Sequence, residues 1–262
     1  MDKASIGGVV LAIVGIVAGL LIEGGNLGQI LQPTAALIVF GGTMGAVLLQ
    51  FPLTTVVAAF SGMAHIFAAP RKQDAQLIGQ LVGFANKARR SGVVSLDADL
   101  STLDDPFLKR ALMLAVDGTE PAELRKIMRV SLDSTTENEE RLPAVFESAG
   151  GFSPTIGILG AVLGLIQVMQ HLDNINEVGK GIAVAFVATV YGVGSANLFF
   201  LPSSGKLRLR IREEQILHEM TLEGVVSILE GMNPRMLETK LIGFLREVPK
   251  KADAGPAESD AS

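Results

Sequence analysis

The sequence predicts an all-α membrane protein: four transmembrane helices, a helical cytoplasmic domain between spans two and three, and a C-terminal cytoplasmic amphipathic helix. Three observations lead there. Of the 262 residues, 48% are hydrophobic and only 19% charged, too apolar for an ordinary soluble domain. The apolar residues gather into stretches long enough to cross a bilayer core as helices, which takes about 20 residues. The charges lie between those stretches, at helical spacing and after helix-starting prolines.

The first stretch runs from Ala4 to Ile22. It is preceded by Asp2 as well as Lys3, and no A-x-A-like cleavage site follows, so it reads as a span rather than a signal peptide. The second begins near Pro33 and stays apolar through Phe67, interrupted by Pro52. That is too long for one straight span, so Pro52 is expected to kink it, with the remainder reaching towards or beyond the cytoplasmic surface. The third is "SAGGFSPTIGILGAVLGLIQVMQHL", and the fourth is "GIAVAFVATVYGVGSANLFFLP" from Gly181 to Pro202.

Lys and Arg set the orientation. The link "EGGNLGQILQ" has neither, and the link between spans three and four has Lys180 alone. Arg71, Lys72, Lys87, Arg89 and Arg90 follow span two, and Lys206, Arg208, Arg210 and Arg212 follow span four. Both termini and the large middle segment are therefore expected in the cytoplasm.

In the middle segment, "DAQLIGQLVGFANKARRSG" has a helical repeat and ends on Gly92, a C-terminal cap. "DDPFLKRALMLAVDG" opens with Asp105 as N-cap and Pro106 at the first helical position, where its missing N–H costs nothing. Another Pro-initiated helix begins after Thr119 and Glu120. Beyond span four, Leu217, Met220, Val225, Ile228 and Met232 form one apolar stripe. The tail "KKADAGPAESDAS" reads as disordered. The expected organisation is a transmembrane hairpin at 1–70, a cytoplasmic helical domain at 71–150, a second hairpin at 151–205, cytoplasmic amphipathic helices at 206–249 and the tail at 250–262.

The chain has no cysteine, which removes thiol catalysis and Cys-ligated metals. A net charge of −5 argues against nucleic acid. There is no P-loop, no HExxH and no Gly-rich loop after a strand, so an enzyme is not expected, nor is a cofactor. His65, His171 and His218 are too scattered for a metal site and read as interfacial or surface residues.

The spans hold no carboxylate or amine in their interiors. Ion transfer through a bilayer normally uses such groups, so if the chain works on an ion gradient, another polypeptide must supply the titrating one. What the spans offer instead is small residues: Gly15 and Gly19, Gly41 and Gly45, Gly160 and Gly164, and Ala188, Gly192 and Ala196. Such faces let helices approach closely, either within the chain or against a partner. Gly157, Gly160, Gly164 and Gly192 are candidates for that interface. Pro154 and Pro202 sit near cytoplasmic ends of their spans, as helix boundaries or as hinges beside a shared cavity. Thr155, Gln167, Thr189 and Tyr191 are the polar candidates for lining it.

The pieces "SPTIGILGAVLGLI", "ATVYGVGSANLFFLPSSGKL", "DDPFLKRALMLAVDG" and "EGMNPRMLETKL", in this order and with four spans, resemble the MotA/PomA family of bacterial flagellar motor stator subunits, within the wider MotA/TolQ/ExbB group. The resemblance reaches to about Pro249. It implies a multi-pass protein of the bacterial inner membrane, surrounded by lipid, with five copies around two copies of a MotB-like partner. That partner's single transmembrane helix carries the ion-binding Asp. The family's paired prolines match Pro154 and Pro202. Its rotor-contacting Arg and acidic residue, which meet the FliG-like switch protein, match Arg89 and Asp97, with Arg90 beside them. Sodium-driven relatives carry Thr where this chain has Ala161, so the resemblance implies protons; Thr189 matches a hydroxyl found in both ion classes. The alternative is an ExbB/TolQ-type transducer energising a periplasm-spanning partner, though such proteins typically have three spans.

Overall fold

The computed structural model describes residues 3–63 and 74–244. His65, Arg71, Lys72 and the tail beyond Phe244 lie outside the described residues, as does the end of the second apolar stretch. Every regular element among the described residues is helical. The chain divides into two compact units, one of Met1–Arg71 with Asp133–Glu213, the other of Lys72–Leu132 with Glu214–Ser262.

In the first unit, α1 (Lys3–Ile22) is a 20-residue helix. The short α2 (Leu27–Ile30) is closed by a capping box between Asn26 and Gln29. Next come α3 (Pro33–Ala36), one π-helical segment (Leu37–Gly41) and α4 (Gly42–Gln50), a single apolar run. Pro52 breaks this run rather than kinking it. Phe51 is extended, with φ −122° and ψ 145°, and α5 (Leu53–Gly62) starts anew. The reason is local: proline's ring pushes the preceding residue out of the helical region.

The longest element, α8 (Pro121–Gln170), is 50 residues, about 75 Å at 1.5 Å per residue, and it contains Pro143 and Pro154. After a short turn come α9 (Ile175–Ser195), a π-helical segment (Ala196–Phe200) and α10 (Leu201–Leu229), which follow without interruption. Among the described residues three stretches are long and apolar enough to cross a membrane: Leu27–Gln50, the apolar part of Pro121–Gln170 and that of Ile175–Leu229; the apolar helix Ile6–Ile22 is shorter. Large side chains on them face outward: Leu11 is 75% exposed, Met169 68% and Phe186 72%. A surface of that kind suits lipid, not water. Inside the unit, Val47, Val56, Ala59, Val145, Phe146, Ala149, Phe200 and Leu207 form the larger core.

The second unit has a different chemistry. α6 (Asp74–Ser91) ends at Gly92, the expected cap, whose φ of +79° and ψ of 160° form a conformation that favours glycine. A run of 3₁₀ turns (Val93–Thr102) follows. α7 (Pro106–Val116) is capped by Asp105, which accepts from Phe107 N at 2.8 Å and Leu108 N at 3.2 Å. Met220, Val225 and Ile228 of the expected stripe are buried, with Leu217 and Met232 packed at the margin. They share a core with Leu81, Leu96, Leu112, Leu124 and Met128, and with Leu237 and Leu241 of α11 (Pro234–Ile242).

Candidate functional site

The seam between α8 and α9 is built on absent side chains. A Cβ on Gly157 would lie 2.8 Å from the Ala188 carbonyl oxygen and 3.1 Å from Gly192 Cα. One on Gly164 would lie 2.7 Å from the Gly181 oxygen, and one on Gly192 2.6 Å from the Ser153 oxygen. One on Gly160 would lie 2.8 Å from Ala188 Cβ and 3.3 Å from Ile38 Cγ2. So all four are buried and spent on close contact within the chain, Gly157, Gly164 and Gly192 against backbone and Gly160 against side chains. Gly15, Gly19, Gly41 and Gly45 are the opposite case, with nothing within 4 Å of where a Cβ would stand. Spacing alone made the two groups look alike.

Neither proline marks a helix end. Pro154 is inside α8, and Pro202 is the second residue of α10, which continues α9 through the π-helical segment. Pro154 has no N–H, so the Gly150 carbonyl loses its helical donor. Ser153, fully buried, is hydrogen-bonded through Oγ to Ser195 Oγ at 2.7 Å, and Ser195 Oγ donates to the Gly192 carbonyl at 3.3 Å. Buried Ser204 donates to the Pro143 carbonyl at 2.9 Å. These serines were missed in the sequence; for Ser153 and Ser204 the signal is a hydroxyl next to, or two residues from, a proline in an apolar run, and Ser195 carries no such signal.

The polar candidates are largely satisfied locally. Thr155 Oγ1 donates to the Phe152 carbonyl at 2.7 Å and Thr189 Oγ1 to the Ala185 carbonyl at 3.3 Å. Tyr191 donates to the Ile30 carbonyl at 2.5 Å, accepts from Gln32 N at 3.3 Å and stacks on Phe40. It therefore ties α9 to the start of the second apolar run. Gln167 borders a groove of about 260 Å³ with Thr34, Glu177 and Lys180, the last two paired at 2.8 Å. Ala161 is half-buried on α8. Between Pro154 and Gln170, and between Gly181 and Pro202, there is no carboxylate, imidazole or amine. Among the described residues no three His, Cys, Asp or Glu gather as metal ligands. His171 Nδ1 lies 3.0 Å from the Gln167 carbonyl, and His218 stacks on Phe107.

In the second unit, Arg89 and Arg90 are exposed in the last turn of α6, and Asp97 is exposed in the 3₁₀ run. Lys87 pairs with Asp99 at 2.7 Å and holds that run against α6. Glu223 receives Arg125 at 2.7 Å and Lys240 at 2.5 Å. Partial burial pushes its carboxyl up, but the hydrogen bonds from Lys240 and Arg125 prevail and hold its pKa below the usual carboxylate value.

Residues 99–220 match the MotA/TolQ/ExbB proton channel family, and residues 6–92 match the N-terminal region of motility protein A. Motility protein A of Bacillus subtilis is 35% identical over 99% of this chain and 97% of its own length. A solved structure of C. jejuni MotAB superposes with a TM-score of 0.89 at 32% identity, covering 95% of this chain and 98% of that one. The flagellar MotAB stator complex from Bacillus subtilis superposes at 0.85 with 35% identity, over 94% and 96%.

Proposed function

This chain belongs to the motility protein A family, and from that premise we infer that it is a stator subunit of the bacterial flagellar motor, turning ion flow into torque together with a MotB-like partner. One observation carries the reading: a likeness to MotAB over 95% of the chain, in a protein whose long apolar helices hold no carboxylate or amine at their centres. A chain built this way needs a neighbour to bind the ion. The match across the N-terminal segment favours the motor over an ExbB/TolQ-type transducer.

The finer reading is four spans in the inner membrane, with α1 as the first and both termini in the cytoplasm. It is supported by the Lys and Arg bias around the apolar stretches. The copies, five by family resemblance, surround the partner's helix, and its aspartate alternates between charged and protonated. Charged, that group is costly against an apolar wall. Protonation removes the cost and lets the surrounding helices repack, with Pro154 and Pro202 as the yielding points. The hydroxyl of Thr189 and the methyl of Ala161 belong to the lining, and the methyl favours protons over sodium. Arg89, Arg90 and Asp97 then act on complementary charges of a FliG-like rotor protein.

The energetics suffice. Moving a unit charge through 100 mV is worth ~2.3 kcal/mol, so a gradient of roughly 150 mV supplies ~3.5 kcal/mol per ion. At ~1.4 kcal/mol per tenfold, that biases a two-state arrangement roughly 300-fold. No covalent step is required.

Deleting the gene should abolish swimming, and supplying the chain in trans should restore it. Intact swimming with impaired envelope integrity or uptake would identify a transducer instead. Swimming in sodium-free medium should be unimpaired; motility that returns only with added sodium would reverse the ion assignment.

A further inference from the structure

The seam between α8 and the α9–α10 run changes character at Ser153. From Gly157 to Gly164 the facing helices meet through glycines and alanines, and no hydrogen bond found among the described residues crosses from α8 to α9 there. From Pro143 to Ser153 the same helix is fastened by directional bonds inside the seam: Ser153 to Ser195 at 2.7 Å and Ser204 to the Pro143 carbonyl at 2.9 Å, while the Glu147–Arg208 pair between them lies exposed and adds little. Leu201 is lodged over Gly150 between them, its Cδ2 only 2.7 Å from where a Cβ would stand. Pro154 is the first residue beyond the uppermost fastener. Contacts made only through dispersion slide at little cost, whereas a hydrogen bond with no water to replace it resists shear.

We propose that Ser153, Ser195 and Ser204 are positioning residues that clasp 143–153 to 195–204 into one lever, so that movement in the glycine seam above pivots at Pro154 and passes undivided into the helices below. This rests on the stator reading. The lever is about 15 Å long, ten residues at 1.5 Å each. Both helices that form it continue past it, α8 back to Pro121 and α10 on to Leu229. The clasps stay closed through the working cycle; the glycine seam is what moves.

The test uses the full chain expressed in a strain lacking it, with torque read from tethered beads. Wild type failing to restore rotation would reject the stator reading itself, independently of the clasp. Given restoration, Ser153→Ala combined with Ser204→Ala should lower stall torque at least about twofold while low-load speed and ion leak hold, because a slack lever transmits less force. Ser204→Thr, which keeps the donor, should recover it. The chain has no cysteine, so Ser153→Cys with Ser195→Cys gives one addressable pair. Oxidising that pair should raise stall torque about twofold over the reduced state, because the bond closes the clasp again. Oxidation that arrests rotation, reversed by reductant, would show that this part of the seam must open and would overturn the proposal. Unchanged stall torque in the double alanine variant would overturn it too, as would equal losses of torque and of fluorescently counted stators, the mark of a purely structural role.

Discussion

Replacing Gly192 by Ala puts the α8–α9 seam to its sharpest test. The new Cβ would stand 2.6 Å from the Ser153 carbonyl oxygen and 2.9 Å from Gly157 Cα. Both are backbone atoms and cannot rotate away. Ordinary contacts of a Cβ begin near 3.4 Å, so the helices must part by 0.8 Å at this level. Overpacking of that kind costs about 3 kcal/mol, the upper part of the usual range, because no flexible side chain absorbs it. The better helix propensity of Ala returns about 1 kcal/mol, leaving about 2 kcal/mol of destabilisation. Gly45→Ala is the matched control: its Cβ meets nothing within 4 Å, so it should be neutral or slightly stabilising. Unfolding of the purified chain from mild detergent into SDS, followed by circular dichroism, gives both values. If Gly192→Ala proves as stable as Gly45→Ala, the seam is not held by backbone proximity and its place in the mechanism falls.

Other outcomes follow from the same geometry. Pro154→Leu should abolish torque while leaving membrane assembly intact, since it restores the helical N–H to the Gly150 carbonyl; normal swimming would remove this residue from the mechanism. Reversing Arg89 or Asp97 should weaken torque in a salt-sensitive manner, and no change from either, with Arg90 also neutralised, would discard the rotor-contact assignment. Tyr191→Phe keeps the stacking on Phe40 but loses the bonds to Ile30 and Gln32, which should cost about 1–3 kcal/mol in the same SDS assay. Because Glu223 titrates below its ordinary 4.5, its contribution to the second unit is fully present above that pH and is lost as pH falls through the lowered value. Glu223→Gln should flatten that acid limb in a thermal-stability profile; an unchanged limb would assign it to other groups.

How much could be read from the sequence depended on the range of the physics. Helix caps are local, and Asp105, Pro106 and Gly92 stand where the local chemistry put them. The buried stripe of Met220, Val225 and Ile228 follows from helical period alone. Proline is legible only in part: the sequence predicts a kink at Pro52 and leaves Pro154 and Pro202 open between helix boundary and hinge. Pro52 ends its helix outright, whereas Pro154 rides inside α8 and Pro202 follows a π-helical segment through which α9 runs on into α10. The glycines show the same limit. Gly157 and Gly164 occupy a packed seam while Gly15 and Gly45 occupy open faces, and the difference lies in the helix opposite. The Ser153–Ser195 pair joins residues 42 positions apart, and the Glu223 network joins Arg125 across 98. Such pairs become visible only once the helices are set side by side.

Tyr191 gives the protein a built-in optical gauge. With no tryptophan and a single tyrosine, all intrinsic near-ultraviolet fluorescence above the phenylalanine background comes from one phenol, whose hydroxyl is held by the Ile30 carbonyl. A change in its quenching in the purified, unlabelled chain would report the tether between α9 and the second apolar run opening or closing.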